Sequence, residues 1–290
     1  MKSAPFAYHA PDALDGAVEV LAEHGGEARV LAGGQSLVPL MHRRIERPEH
    51  LVDVNRIADL ALLEAGADQL RLGAVTRQRE VELSVAVAER WPLLVEAIAE
   101  VGHPAIRNRG TVVGSLCHAN PSAELPSVAV ALDGTIVAAS SGGSREIPLS
   151  GFFVGAGETA LRRDEIAVEL RIPASPPSTG AAWLELARRD GDLPVAGVAA
   201  VVSLGDGGRC ERVRLVCANA AAVPLDCREQ VMPLHGVAVD AEAAAAVGAA
   251  VAAACDAVTD YQGTAAERRR VLAVLARRAL LLAAERAREG

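Results

Sequence analysis

The chain has 290 residues, 51% of them hydrophobic and 23% charged, with a formal net charge of −8. That composition is globular rather than disordered, and the length suffices for two domains. With 37 acidic against 29 basic residues, nonspecific nucleic-acid binding is disfavoured, and an anionic ligand would have to be held by local backbone dipoles.

In chain order, Leu14, Ala17, Val18, Leu21 and Ala22 fall at helical spacing behind Asp12 as cap, and Gly25-Gly26 ends the run. A strand over Arg29–Ala32 runs into Gly33-Gly34-Gln35-Ser36. A helical turn at Leu37–Met41 and a strand at Leu51–Val54 complete a small parallel β-α-β unit. Next come a strand at Gln69–Gly73, a helix from Thr76 to about Ala88 and a helix from Pro92 to near Gly102. The segment His103–Pro126 reads as mostly loop. Strands are expected around Gly134–Ala139, Arg145–Pro148 and Glu165–Ile172, and Pro173–Gly180 is the clearest linker. Beyond it, Ala181–Arg188, Val195–Leu204 and Arg212–Ala218 are joined by short turns and predict antiparallel strands. Helices from about Asp240 to Val258 and from Thr264 to Arg286 close the chain. The second carries Val271, Leu272, Leu275, Ala279 and Leu282 on one side, with Arg269, Arg270 and Arg277 facing away.

Several chemistries find no support in this sequence. No apolar run reaches the length of a membrane helix, and Asp12 and Asp15 stand where a signal peptide would be apolar. Cys117, Cys210, Cys217, Cys227 and Cys255 form no C-x-x-C pair, so they read as reduced thiols rather than zinc or iron–sulfur ligands. The chain lacks G-x-G-x-x-G, a P-loop, a nucleophile elbow and a glycosidase-like carboxylate pair.

Two glycine loops remain, Ala32-Gly33-Gly34-Gln35-Ser36 and Gly110-Thr111-Val112-Val113-Gly114-Ser115. Glycine lets a backbone approach a phosphate without an intervening Cβ, and clustered amides point at the anion. Two such loops could clamp one diphosphate, and a side chain at Gly33 or Gly114 would then be expected to intrude on it.

The stretch Arg107 to Pro126, RNRGTVVGSLCHANPSAELP, resembles the second flavin-binding signature of the FAD-binding medium subunits of molybdenum hydroxylases, the carbon monoxide dehydrogenase and xanthine dehydrogenase group. Val30-Leu-Ala-Gly-Gly-Gln-Ser-Leu37 is similar to that family's first signature. The Asp53-Val-Asn55 strand end, the Gly73-Ala-Val-Thr76 turn and the Arg188-Arg189 to Gly197 stretch match as well. The resemblance implies that Val30, Leu31, Ala32, Gly33, Gly34, Gln35, Ser36 and Leu37, with Thr111, Val112, Val113, Gly114 and Ser115, hold the FAD diphosphate and ribityl, mainly through backbone N–H groups. Asn108 belongs to the second signature. Glu124 falls where the family places an acid, often Asp, on flavin hydroxyls, unless it only caps a helix. Leu161 matches an apolar residue near the flavin. His118 and Asn120 could reach the cofactor. Arg188 and Arg189 either approach the ring or pair with Asp190 and Asp192. Arg107 and Arg109 either fix the second loop or are surface charges. Leu193-Pro194 replaces an aromatic residue that many relatives carry beside the ring.

The implied fold is α+β: two N-terminal α/β subdomains form a vanillyl-alcohol-oxidase/PCMH-type FAD-binding fold, followed by a C-terminal antiparallel sheet with helices. The expected domains are 1–176, with subdomains at about 1–56 and 57–176, and 177–290. The implied function is an oxidoreductase subunit that takes electrons from [2Fe–2S] clusters of a small partner subunit onto FAD. Substrate would be oxidised on a molybdenum-pterin large subunit, and the electrons would pass to an external acceptor. The implied assembly is a cytoplasmic dimer of heterotrimers, with a peripheral position at the inner face of the membrane left open. No metal and no catalytic residue are assigned to this chain. Two other classes stay open: a self-contained flavin oxidase of the vanillyl-alcohol-oxidase-like superfamily, and a non-catalytic assembly subunit.

Overall fold

The structure, a computed structural model, describes residues 2–290. Strand β1 (Ala7–His9), helix α1 (Leu14–His24), strand β2 (Ala28–Leu31), helix α2 (Leu37–His42) and strand β3 (His50–Asp53) come first. The strands form a parallel sheet in the order β1-β3-β2. The expected β-α-β unit is thus present, extended by β1, an edge strand of three residues. Helix α1 buries Ala17, Val18 and Leu21. Its N-cap is Ala13 with no side-chain cap bond, so Asp12 does not cap it.

Strands β4 (Leu63–Ala65) and β5 (Gln69–Gly73) open a second sheet. Six helices then follow: α3 (Gln78–Glu82), α4 (Val85–Arg90), α5 (Pro92–Glu100), α6 (Pro104–Arg107), α7 (Val112–His118) and α8 (Glu124–Ala131). The helix expected from Thr76 to Ala88 is therefore two. Leu83 closes the first, and Ser84 caps the second, its hydroxyl accepting from the Val87 amide. The segment expected to be mostly loop holds three helices. Thr111 caps α7 by accepting from the Gly114 amide at 3.1 Å. Helix α8 is buried along all eight residues, so it has no polar face to betray its period.

Strands β6 (Thr135–Ser140) and β7 (Gly143–Pro148), a small hairpin of β8 (Phe153–Gly155) and β9 (Glu158–Thr159), and β10 (Ile166–Pro173) follow. The second sheet is antiparallel throughout, in the order β4-β5-β10-β6-β7. Strands β11 (Thr179–Leu186), β12 (Ala196–Leu204), β13 (Cys210–Ala218) and β14 (Leu225–Asp226) make the third sheet, also antiparallel and in sequence order. Helices α9 (Arg228–Val231), α10 (Ala241–Ala254) and α11 (Ala265–Glu289) complete the α+β fold.

Strand β12 explains how the halves join. Its nine residues, AGVAAVVSL, are all buried, because both faces of the third sheet are covered. Ala199 and Val201 enter the core shared with α5 and α8. Ala196, Val198, Ala200 and Val202 enter the core beneath α10 and α11. In α11 Leu272, Leu275 and Ala279 are buried as expected, whereas Val271 and Leu282 are only partly so. Helix α11 also buries Arg268, whose guanidinium bonds the Val195 carbonyl at 3.1 Å and Asp260 Oδ1 at 2.6 Å, and contacts the Val258 carbonyl.

Candidate functional site

The two glycine turns meet. The first follows β2 at the carboxyl end of the parallel sheet, where α/β folds place ligands. The second lies at the start of α7. A Cβ built on Gly33 would stand 2.4 Å from the Arg109 carbonyl oxygen and 2.8 Å from the Gly110 Cα. Only a glycine permits that approach. Gly34, at φ +73°, adopts the left-handed conformation that carries the chain from strand into α2. A Cβ on Gly114 would stand 2.5 Å from Thr111 Oγ1, in the way of the cap, with the Ala32 Cβ 3.9 Å away. Both glycines thus clear space for the protein itself, independently of any ligand beside them.

Among the described residues, the amides of Gly33, Gly34, Gln35 and Ser36 have no protein acceptor. Gln35 turns its side-chain amide onto the Gly33 carbonyl at 3.2 Å. A row of unpaired amides on a glycine turn is a ready acceptor of anions.

A clamp that sequence spacing did not indicate joins the turns. Asn55 donates from Nδ2 to the Ala32 carbonyl at 2.9 Å and to Asp53 Oδ1 at 2.6 Å. Arg77 donates to Asn55 Oδ1 at 2.6 Å and to the Arg109 carbonyl at 2.9 Å. One hydrogen-bonded path therefore runs from the first turn through Asn55 and Arg77 to the second. Asp53 fixes it from behind, also accepting from the Asn55 amide at 2.9 Å and the Tyr8 hydroxyl at 2.6 Å. Burial opposes ionisation of Asp53, but the bonds from Tyr8 and Asn55 outweigh it and hold the carboxyl below its ordinary range. Burial, then the neighbouring Arg109 charge, lowers the pKa of Arg77. Asn55 fell within a matched stretch, but it is 22 residues from Arg77, and no local periodicity pairs residues so separated.

The other candidates divide. Arg107 is buried and spends its guanidinium on Glu82, at 2.9 and 3.1 Å, and on the carbonyls of Val101 and Gly102, so it anchors α6 to α3. Exposed Asn108 ends α6, just before the second turn. His118 closes α7; burial lowers its pKa against the pull of Glu46. Asn120 Oδ1 accepts from the Ser122 amide at 3.0 Å and shapes the bend between α7 and α8. Leu161 follows β9, which packs on α7.

Glu124 is the first residue of α8, whose N-cap is Ala123, so it is not the cap. It is 3% exposed, and burial pushes its carboxyl up to about 8, with Glu185 and Glu100 adding to the effect. It therefore carries its proton at neutral pH and can donate as well as accept a hydrogen bond. Glu185, pushed up to about 7 by burial, accepts from Trp183 Nε1 at 3.0 Å. Arg188 donates to the Tyr261 carbonyl at 2.9 Å, and among the described residues no hydrogen bond ties it to either glycine turn. Nor does it or Arg189 form an ion pair with Asp190 or Asp192 there. Cys210, Cys217, Cys227 and Cys255 are buried. Burial pushes the Cys117 thiol up to about 12, which makes it unreactive.

Comparisons with known proteins agree with this geometry. The family described as FAD binding domain in molybdopterin dehydrogenase matches residues 4–175. The CO dehydrogenase flavoprotein C-terminal domain matches residues 181–283. Subunit alpha of the 6-hydroxypseudooxynicotine dehydrogenase complex of Paenarthrobacter nicotinovorans is 37% identical, over 99% of this chain and 97% of its own. The carbon monoxide dehydrogenase medium chain of Hydrogenophaga pseudoflava is 36% identical, over 95% of this chain and 96% of its own. A solved structure of carbon monoxide dehydrogenase from that organism superposes with a TM-score of 0.96 at 35% identity, covering 99% of both chains. Quinoline 2-oxidoreductase from Pseudomonas putida 86 gives 0.93 at 33% identity, again over 99% of both. With nearly full-length identity above 30% and both parts of the chain matched, this protein belongs to the FAD-binding medium subunits of the molybdenum hydroxylases, an oxidoreductase family.

Proposed function

We propose that this chain holds FAD on the two glycine turns and serves as the electron-transfer subunit of a multi-subunit molybdenum hydroxylase. The observation that carries the reading is the contact between the turns, closed by Asn55 and Arg77, with the amides of Gly33 to Ser36 left for an anion. A diphosphate fits such donors, because main-chain amides and the nearby Arg77 and Arg109 offset an overall acidic chain. Val30–Leu37 and Thr111–Ser115 form this cradle, with Asn108 beside it. Glu124, carrying its proton, meets the ribityl hydroxyls as donor or acceptor. Leu161, His118 and Asn120 border the cofactor from the α7 side. Arg188, held by Tyr261, is the weakest of the assigned residues.

FAD, when bound, supplies a redox centre that exchanges electrons singly or in pairs. Iron–sulfur clusters need a set of grouped thiolates; the near pair here, Cys217 and Cys227 at 3.8 Å, is buried with the Cys217 thiol pushed up, which disfavours a thiolate ligand. Electrons therefore arrive across a subunit interface, from a [2Fe–2S] partner supplied by a molybdenum-pterin subunit. They leave to an external acceptor such as a quinone, O₂, NAD⁺ or a cytochrome. Relatives named for 6-hydroxypseudooxynicotine, carbon monoxide and caffeine align along almost the whole chain, which supports a substrate site on another polypeptide. We further propose a dimer of heterotrimers and a domain division near residue 176. The division is supported by the change of sheet between Pro173 and Thr179.

Two experiments test this reading. Flavin-loaded chain mixed anaerobically with a dithionite-reduced, desalted [2Fe–2S] small subunit of the complex should lose its flavin absorbance as the clusters reoxidise. Flavin that stays oxidised would refute the electron-transfer role. Arg77→Ala should weaken FAD binding about 10–100-fold, the worth of one charged hydrogen bond at about 1.5–3 kcal/mol. Arg77→Lys should recover only part, since an ammonium cannot span Asn55 and the Arg109 carbonyl as a fork does. Flavin fluorescence titration reads both, and unchanged affinity in Arg77→Ala would divorce the clamp from the cofactor.

A further inference from the structure

Three of the chain's seven histidines converge at one place. His9 ends β1, His24 ends α1 and His50 begins β3. One ring nitrogen from each lies within 4.8 Å of the others. His9 Nε2 and His50 Nδ1 are 3.0 Å apart. The rings of His24 and His50 stack with centroids at 3.5 Å and planes 12° apart, and the His9 centroid lies 5.3 Å from His50 and 5.9 Å from His24. All three are partly buried, so an ion can enter from solvent.

The cluster is separate from the glycine turns. In the parallel ladder His50 sits opposite Ala28 and Ala7, at the amino end of β3, and the His9 ring, on a residue opposite Val52, reaches back to it. The turns lie past Leu31 and Asp53, at the carboxyl end.

We propose that His9, His24 and His50 form a site for a divalent transition-metal ion, best matched by Zn²⁺, which clamps β1, α1 and β3 together. Imidazole suits zinc and its late first-row neighbours. In a tetrahedral zinc site the nitrogens lie at about 2.0–2.1 Å from the metal, hence about 3.3 Å from one another. The His9–His50 pair is already near that spacing, and the third nitrogen needs only a side-chain adjustment. Three neutral imidazoles leave a fourth position for water. Alternatively, Glu23, whose Oε2 is 3.9 Å from His24 Nε2 and whose side chain is largely exposed, can turn inward to fill it. The ligands come from three elements separated by 15 and 26 residues, so a shared ion would cross-link the parallel sheet to its covering helix.

The test uses the untagged full-length chain, stripped with EDTA and dialysed, then titrated with Zn²⁺ against a chromophoric chelator and, separately, with Co²⁺. The expected result is one tight site per chain, visible d–d absorption for Co²⁺, and a higher melting temperature with Zn²⁺. His9→Ala and His50→Ala should each weaken binding by about 100-fold or more, since even a supporting residue outside the ligand set costs 10–100-fold. Each should also abolish the thermal shift, while exposed His235→Ala, away from the cluster, changes neither. If His50→Ala loses its near-ultraviolet circular dichroism, His24→Ala carries the comparison. A wild-type chain that takes up no Zn²⁺, or cluster variants that bind it undiminished, would overturn the proposal.

Discussion

Gly33→Val is expected to leave the purified chain without its flavin. A Cβ at this position would stand 2.4 Å from the Arg109 carbonyl oxygen, against an ordinary contact of about 3.5 Å. Every atom the Cβ would strike is backbone, from Arg109 and Gly110, so no rotamer change relieves the clash, and the turns must part by about 1 Å. That separation pulls on the hydrogen bonds of Asn55 and Arg77 and spreads the unpaired amides of the first turn, the proposed diphosphate donors. FAD affinity should fall by at least about 100-fold, roughly 2.7 kcal/mol. Overpacking should add a stability loss of about 1–3 kcal/mol. Gly151→Ala is the control, because a Cβ there meets nothing within 4 Å. The ratio of flavin to protein absorbance reads both variants. Normal flavin content in Gly33→Val would show that the contact between the turns does not govern binding.

The second large effect falls on stability. Arg268→Ala should lower the melting temperature markedly without touching the glycine turns. Arg268 is fully buried in the first turn of α11 and serves the Val195 carbonyl, the Val258 carbonyl and Asp260. It thereby joins the α10–α11 connection to the entrance of β12. Removing one member of a buried charged pair costs about 3–5 kcal/mol. The Asp260 side chain keeps 33% of its surface in water, so the lower end applies, about 3 kcal/mol. For a chain of this size that is about 6–12 °C. Burial of Asp260 is outweighed by bonds from the Gln262 amide and Arg268, so its pKa is lowered and it is charged opposite the guanidinium. A melting temperature within 2 °C of the wild type would mean that water replaces the guanidinium at about no cost.

The strands of the third sheet were readable because small β-branched and alanine-rich runs between short turns leave few alternatives. Helix α11 was readable from its long apolar stripe, and the structure adds a Thr264–Glu267 capping box at its start. The region from His103 to Pro126 was not. Its helices are four to eight residues long, too short for a period to show, and α8 is buried on every side. Pro104 at a first helical turn and Thr111 as a cap were the local signals that favoured helix there. Strand β1 escaped because three residues on a partly exposed edge carry no alternation. The glycine turns stood out in the sequence, but what brings them together did not. Asn55 and Arg77 are single polar residues on separate elements, and only the fold makes them neighbours. Arg268 was equally illegible, since nothing local marks one arginine of a charged helix as buried until its partners Val195, Val258 and Asp260 are seen.

The most direct measurement compares FAD with FMN on the flavin-free full-length chain. If the free amides of Gly33 to Ser36, braced by the second glycine turn, grip a diphosphate, FAD should bind at one per chain and FMN at least about 100-fold more weakly, roughly 2.7 kcal/mol. Equal affinity for the two flavins, or no uptake of either, would contradict the account.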